Sequence, residues 1–230
     1  MISVLTWSYN RQKMFDITLP LWLKQEGVDF EVIAGHGPEV KVIPDSRIKP
    51  VYTPDLAMCK AYNDMLAVAS GDMILITQAD MQVNSPTQLK RMLDNWSPYT
   101  MVTERFFKDG KRDCGMYLQF MLVAKEDIIK AGGWHEEYDK GSYAYEDTDF
   151  VACMLENGLN FNIIETPEDE GVYHIHHERP DLNDERIKTR IAKARAIYDS
   201  RHKDTIMGLY AKQIGLMLTK KRAGQIVCPK

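Results

Sequence analysis

Residues 2–6 and 73–77 are short, largely apolar runs, residues 30–34 and 48–52 read as two further strands, and stretches with helical periodicity at 11–26 and 55–69 fall among them. This alternation limits the fold more than any other feature. Largely apolar runs suit strands covered on both faces, and a helix between successive strands lets them lie parallel. The expected class is α/β, a mostly parallel, doubly wound sheet flanked by helices. Gly27 and Ser70-Gly71 supply helix stops, and Gly35-His36-Gly37-Pro38 reads as a loop. Pro20 lies inside the first helical stretch and is expected to kink or divide it.

In sheets of this kind ligands bind at the carboxyl ends of the strands. Residues 6–11, 35–37 and 78–80 are therefore expected to converge on one crevice. That expectation uses connectivity alone. The second half is more mixed: helices are expected at 86–94, 125–131 and 146–157, strands at 101–104, 116–124, 160–165 and 172–176, and a turn at 108–111. The last two strands are expected to complete the sheet. Beyond residue 180, Asp181 and Asp184 suit a helix start, and Ile187, Ile191, Ala194 and Tyr198 mark one apolar stripe. The organisation read here is one domain over 1–180 and a helical extension over 181–230.

That extension is strongly basic. Residues 186–230 hold twelve Lys and Arg against Asp199 and Asp204, while the preceding 185 residues carry 17 basic and 31 acidic side chains. A basic tail on an acidic body suits contact with something anionic: a membrane surface, a nucleic acid, or the body itself. A solvated basic helix face accounts for the same pattern. A helix packing on a second copy, as a homodimer, would use Ile191, Ile206, Leu209 and Leu216. No apolar run reaches the length of a membrane-spanning helix, and the first residues lack the features of a signal peptide. Cys59, Cys114, Cys153 and Cys228 show no metal-finger or CxxC spacing, which fits free thiols. A cytoplasmic location is expected, with peripheral attachment to an anionic surface as one use of the tail.

Three constellations can carry chemistry. Asp80 stands at the carboxyl end of a strand, and His174 and His176 are two apart in another, where both face the same side. A carboxylate with imidazoles is a donor set for Mn²⁺ or a similar divalent ion, although histidines in a strand are also commonly structural, as His177 on the other side is expected to be. Glu146-Asp147, with Asp149 close behind, open a helix. Acids in a first turn complement the helix dipole, and a carboxylate in a cleft can equally serve as general base. Gly132-Gly133-Trp134-His135-Glu136 is a tight turn presenting an indole, which either stacks on a ligand ring or anchors the core.

Taken in order, these pieces resemble the GT-A glycosyltransferase fold, most closely the inverting family 2 and its galactosyltransferase relatives. Ser3-Val4-Leu5-Thr6-Trp7-Ser8-Tyr9-Asn10-Arg11 resembles the opening strand and turn that meet the nucleotide. Ala61-Tyr62-Asn63-Asp64 through Ala69-Ser70-Gly71-Asp72 resembles the helix and turn before the metal motif. Gln78-Ala79-Asp80 falls where the family has D-x-D, Gly132-Gly133-Trp134-His135-Glu136 resembles the acceptor loop, and Tyr145-Glu146-Asp147-Thr148-Asp149 the E-D motif. The resemblance spans roughly residues 2–177. It departs from the family at Gln78, an amide where a carboxylate is usual, and at Gly35-His36, where an acidic base contact is usual.

The resemblance implies a hexosyl- or pentosyltransferase acting on a nucleotide-sugar donor, with Mn²⁺ or Mg²⁺ held by Asp80 and His174 or His176. It places the donor at Thr6, Ser8, Tyr9, Asn10, Arg11, His36, Asn63, Gln78 and Ala79. Asp147 becomes the catalytic base, Glu146 positions the acceptor, and Trp134 and Tyr145 wall the sugar and acceptor. The acceptor implied is a glycan or glycoconjugate hydroxyl, with nucleic acid as the option the basic tail leaves open. Two other readings stand beside it: a nucleotidyltransferase, opposed by the lack of glycine in Trp7-Ser8-Tyr9-Asn10, and a non-catalytic binder, favoured by Gln78.

Overall fold

The computed structural model describes residues 1–104, 107–108, 111–112, 120–142, 144–175, 181–205 and 208–209. Its first half is β1 (Ile2–Ser8), α1 (Gln12–Trp22), β2 (Phe30–His36), β3 (Ile48–Tyr52), α2 (Met58–Val68) and β4 (Met73–Gln78), followed by β5 (Met81–Val83) and α3 (Gln88–Asp94). The second half holds β6 (Thr100–Glu104), β7 (Phe107–Lys108), β8 (Lys111–Arg112), β9 (Phe120–Ala124), α4 (Lys125–Ala131), a 3₁₀ turn (Glu136–Asp139), α5 (Glu146–Glu156), β10 (Asn160–Ile164), β11 (Val172–His174) and α6 (Glu185–Arg201).

Among the described residues, seven strands form the main sheet in the order β10-β6-β9-β4-β1-β2-β3. β9 runs antiparallel to both β4 and β6, and the other pairings are parallel. The fold is thus a mostly parallel α/β sheet. Neighbouring residues of one strand enter opposite cores, as the two-residue side-chain period requires. Leu5, Ile33, Ile74 and Met121 pack with α2, α4, α5 and α6, while Val4, Val32, Leu75 and Leu122 pack with α1 and α3. Burial on both faces explains why these strands carry apolar residues at consecutive positions.

A polar knot fixes the edge of this sheet. The Glu31 carboxylate accepts from Ser3 Oγ at 2.6 Å and from the Ser70 amide at 2.6 Å, and it pairs with Lys49 Nζ at 2.7 Å. Gly71 lies against β1 so closely that a Cβ would sit 2.7 Å from the Ser3 nitrogen. The Ser70-Gly71 stop is therefore a packing requirement as well as a turn.

Two expectations are corrected. Pro20 neither divides nor ends α1 where it stands; it occupies the last turn, and the helix closes at Trp22 with Leu23 N donating to Leu19 O. Pro20 has no N–H to give Asp16 O, so the helix forgoes that one bond and runs only two residues further. The strand carrying His174 does not join the main sheet. β11 lies in a second, four-stranded sheet, β5-β11-β7-β8, antiparallel to β5. The expected turn at 108–111 and strand at 116–124 fall partly outside the described residues.

α6 begins at an Asp184 N-cap whose side chain accepts from Arg186 N at 2.9 Å. It buries Ala194, Ile197 and Tyr198 in the same core as α2 and α5. Leu209 is taken into that core too, so it is not available for a second copy; Ile206 and Leu216 lie outside the described residues. Cys59 and Cys153 are free and buried. Among the described residues no helix is long and apolar enough to cross a membrane.

Candidate active site

At the carboxyl ends of β1 and β4 lies a cavity of about 170 Å³, lined by Trp7, Ser8, Tyr9, Asn10, Arg11, Met14, Leu56, Met58, Gln78, Ala79 and Asp80. The loop after β1 is shaped by Ser8, whose Oγ donates to Arg11 O at 3.2 Å and accepts from Arg11 N at 3.3 Å. Trp7 Nε1 donates to Thr53 Oγ1, and Tyr9 Oη to Pro54 O. Gly37 supports this loop from behind; a Cβ there would meet Tyr9 O at 2.0 Å. Residues 35–37 therefore buttress the crevice instead of lining it. Leu56, Met58 and Met14, which no motif marks, take that place.

Asp80 ends the loop after β4, and its continuation β5 pairs with β11 so that His174 lies opposite Met81. Ile175 N donates to Asp80 O at 2.8 Å, locking the two segments together. His174 Nε2 then lies 3.6 Å from Asp80 Oδ2, and Arg11 Nη1 approaches the same oxygen at 3.8 Å. Two ligands at adjacent positions on an octahedral ion with bonds of about 2.1 Å are about 3 Å apart. The Asp80 and His174 donors fit a divalent cation with only a small side-chain adjustment, and a carboxylate paired with an imidazole suits Mn²⁺ or a similar transition ion better than Mg²⁺, which prefers oxygen ligands. His176, the other expected ligand, lies outside the described residues.

Glu146 and Asp147 open α5, both half-buried. The residues before them are unusual: Ala144 and Tyr145 both have left-handed backbones, with φ of 67° and 73°. Such conformations cost on the order of 1–3 kcal/mol each and persist where surroundings enforce them. Burial, and then the charge of Asp147, push the Glu146 carboxyl up to about 7. Burial also raises Asp147, outweighing the bonds its Oδ1 accepts from Thr148 N at 2.7 Å and Thr148 Oγ1 at 3.2 Å. Two acids whose charged forms are disfavoured make stronger bases at neutral pH than ordinary surface carboxylates.

Several expected ligand contacts turn out to be framework. Thr6 is fully buried, and its Oγ1 has no hydrogen-bond partner among the described residues; it faces the core, one strand position short of the cleft. Asn63 is committed to the acceptor-loop backbone: its amide donates to Trp134 O at 2.9 Å and its carbonyl accepts from Trp134 N at 2.9 Å. His36 bonds Gly37 O and tilts against the Tyr52 ring, apart from the cavity lining. Trp134 is 2% exposed and stacks on Tyr62 at 5.0 Å and on Phe150 at 4.4 Å. Of its two readings the structure supports the core anchor, because neither indole face is open. Tyr145 remains half-buried, its ring 5.8 Å from that of Tyr198 on α6.

Behind the acid pair, Asp149 is a buried hub. It receives Tyr138 Oη at 3.1 Å, Arg201 Nε at 2.7 Å and His202 Nε2 at 2.9 Å, and Cys153 Sγ lies 4.0 Å away. Asp149, Cys153 and His202 present ligand atoms within 4.8 Å of one another and form a group that could hold a metal ion. Arg201 already neutralises that carboxylate, and burial raises the Cys153 thiol away from the ligating thiolate. A cation would enter only if Arg201 withdrew. Sequence reasoning misses this hub because nothing local connects Arg201 to Asp149.

No protein-family model matches the chain, and no curated protein matches it. Solved structures do. Staphylococcus aureus TarS 1–349, in complex with UDP-GlcNAc, superposes with a TM-score of 0.65 at 14% identity, over 92% of this chain and 70% of that one. The catalytic domain of Drosophila β1,4-galactosyltransferase 7, in complex with xylobiose, gives 0.60 at 16% identity over 90% and 82%. The mannosyltransferase PcManGT of Pyrobaculum calidifontis, with GDP-Man and Mn²⁺, gives 0.59 at 14% identity over 97% and 82%. Against a longer TarS chain, the present chain spans 36% of its length. The fold is that of GT-A glycosyltransferases.

Proposed function

We propose that the protein is a glycosyltransferase that moves a sugar from a nucleotide diphosphate to an acceptor hydroxyl with inversion at the sugar carbon. The observation that carries this reading is the meeting of Asp80 and His174, 3.6 Å apart beside Arg11, at the carboxyl end of the sheet. A diphosphate needs positive charge where it departs, and this corner of the cleft is where the chain can supply it. Asp80 and His174 would hold a divalent ion, whose charge stabilises the leaving diphosphate. Arg11, with its side chain 45% exposed, adds a guanidinium that can donate to phosphate oxygens. Tyr9, Asn10, Gln78 and the apolar Leu56 and Met58 form the remaining walls for the nucleotide.

Asp147 acts as the base. It takes the proton from the acceptor hydroxyl as that oxygen bonds to the sugar carbon and the bond to diphosphate breaks on the opposite side. Glu146, raised by burial and by its neighbour's charge, keeps its proton more readily and can donate a hydrogen bond to the acceptor. The acceptor class favoured is a glycan or glycoconjugate. Gln78, in a position where a carboxylate is usual, supports the rival reading of a nucleotide-sugar binder without catalysis.

A panel of nucleotide sugars, assayed for hydrolysis and thermal stabilisation with and without Mn²⁺, tests the proposal. Metal-dependent turnover of one donor is expected. Stabilisation without turnover, for every donor and acceptor tried, would leave the binder in its place.

A further inference from the structure

We propose that α6, through Arg201, is a positioning element for the acid pair Glu146 and Asp147; this rests on the transferase reading of that pair. α6 grips the approach to α5 at successive points. Arg190 Nη2 donates to Ser142 O at 2.9 Å, Lys193 Nζ donates to Lys140 O, and the Tyr198 ring lies against Tyr145. At its end Arg201 forks onto both oxygens of Asp149, at 2.7 Å and 3.3 Å, while its Nη1 meets His135 Nδ1 at 3.1 Å. His202 spans Asp149 and Glu156, two turns apart on α5.

The location of these contacts gives them a role beyond general packing. Asp149 is in the first turn of α5, two residues after Asp147, and successive helix positions point in different directions. Holding Asp149 from one side therefore fixes the rotation of that turn about its axis, and with it the direction in which Asp147 points. The strained Ala144 and Tyr145 lie between the grip on Ser142 and the grip on Asp149. Left alone, two non-glycine residues at positive φ would relax toward the ordinary helical or extended regions. Relaxation would redirect Glu146 and Asp147. The bidentate Arg201–Asp149 pair, with Asp149 only 1% exposed, is the strongest of the restraints that prevent it.

The donor side is built from other elements, the ends of β1, β4 and β11, so loosening α6 should leave donor binding intact. Arg201→Ala is expected to lower kcat on the order of 10- to 100-fold, the cost of a small misplacement of a reacting group. The donor dissociation constant, measured calorimetrically with Mn²⁺, should change by no more than about twofold. Arg201→Lys keeps the charge but loses the fork, and should recover part of kcat. If Arg201→Ala does not fold, the Lys variant carries the same comparison, with kcat reduced and donor affinity retained.

Amide hydrogen exchange across residues 140–149, without any ligand, tests the grip independently of the reaction. Exchange should accelerate in Arg201→Ala more than elsewhere in the sheet core. Unchanged exchange there would overturn the proposal, as would accelerated exchange with wild-type kcat. Wild-type protein that turns over no donor, with exchange still responding, would instead count against the transferase reading and so remove the pair's catalytic purpose.

Discussion

His174 Nε2 and Asp80 Oδ2 lie 3.6 Å apart because β5 and β11 pair antiparallel at the point where His174 faces Met81. The two residues come from opposite halves of the chain, and one backbone bond, Ile175 N to Asp80 O, sets their register. A pair so placed should be felt by any divalent ion and by the nucleotide it accompanies.

Asp80→Asn removes the charge that a cation needs while preserving shape. Mn²⁺-dependent thermal stabilisation with a nucleoside diphosphate should disappear, and turnover should fall at least on the order of 10²-fold. Persistence of both in Asp80→Asn would remove Asp80 from the metal site.

Asp147→Asn deletes the proposed base without changing volume. Transfer should drop about 10²- to 10⁴-fold, the usual contribution of general base catalysis, while donor binding stays at the wild-type level. Full transfer by this variant would exclude Asp147 from the role.

The raised carboxyls predict a pH effect on stability. Glu146 ordinarily titrates near 4.5 and is pushed up to about 7 in the folded chain. The folded state thus keeps a proton that the unfolded state has released, and stability contributed by Glu146 declines as pH rises between these values. Glu146→Gln cannot ionise and should be more stable than wild type at pH 8 by about 1–3 kcal/mol. The difference should vanish below about pH 4.5, where both states of the wild type are protonated. Denaturant unfolding at the two pH values measures it; equal differences at both would contradict the assigned burial of Glu146.

Trp134→Ala should destabilise the fold by about 3–5 kcal/mol, as large-to-small changes in a core do. A normal melting temperature combined with weakened acceptor binding would restore the indole to the sugar wall.

Gly133→Ala should destabilise by about 1–3 kcal/mol. Gly133 has φ of 69°, and a Cβ would stand 2.7 Å from Asn63 Oδ1, the atom that holds Trp134 N. Thermal unfolding of Gly133→Ala and Asn63→Ala should show that both loosen the same turn.

Much of the frame is readable from residue order. The apolar runs of β1, β2 and β4 are buried on both faces, so their hydrophobicity needs no tertiary context to register. The helix starting at Glu146 and the cap at Asp184 are equally local. Distant contacts are harder to read. Thr6, Asn63 and Trp134 belong to motifs that resemble a ligand site, yet in three dimensions they support it: Asn63 spends its amide on the Trp134 backbone, and Trp134 spends both ring faces on Tyr62 and Phe150.

Residue order alone indicates the α/β class and the crevice at the strand ends, because period and turn residues encode these directly; it offers Asp80, His174, Glu146 and Asp147 only as candidates, each with a structural reading beside it, and their roles come from the resemblance. Which of those groups meet is settled by the folded chain. β11 leaves the main sheet to bring His174 to Asp80, and α6, read in isolation as a basic extension, closes on Asp149 through Arg201. Both depend on pairings between segments far apart in the chain, whose energies come from backbone ladders and buried charge pairs that no local pattern records.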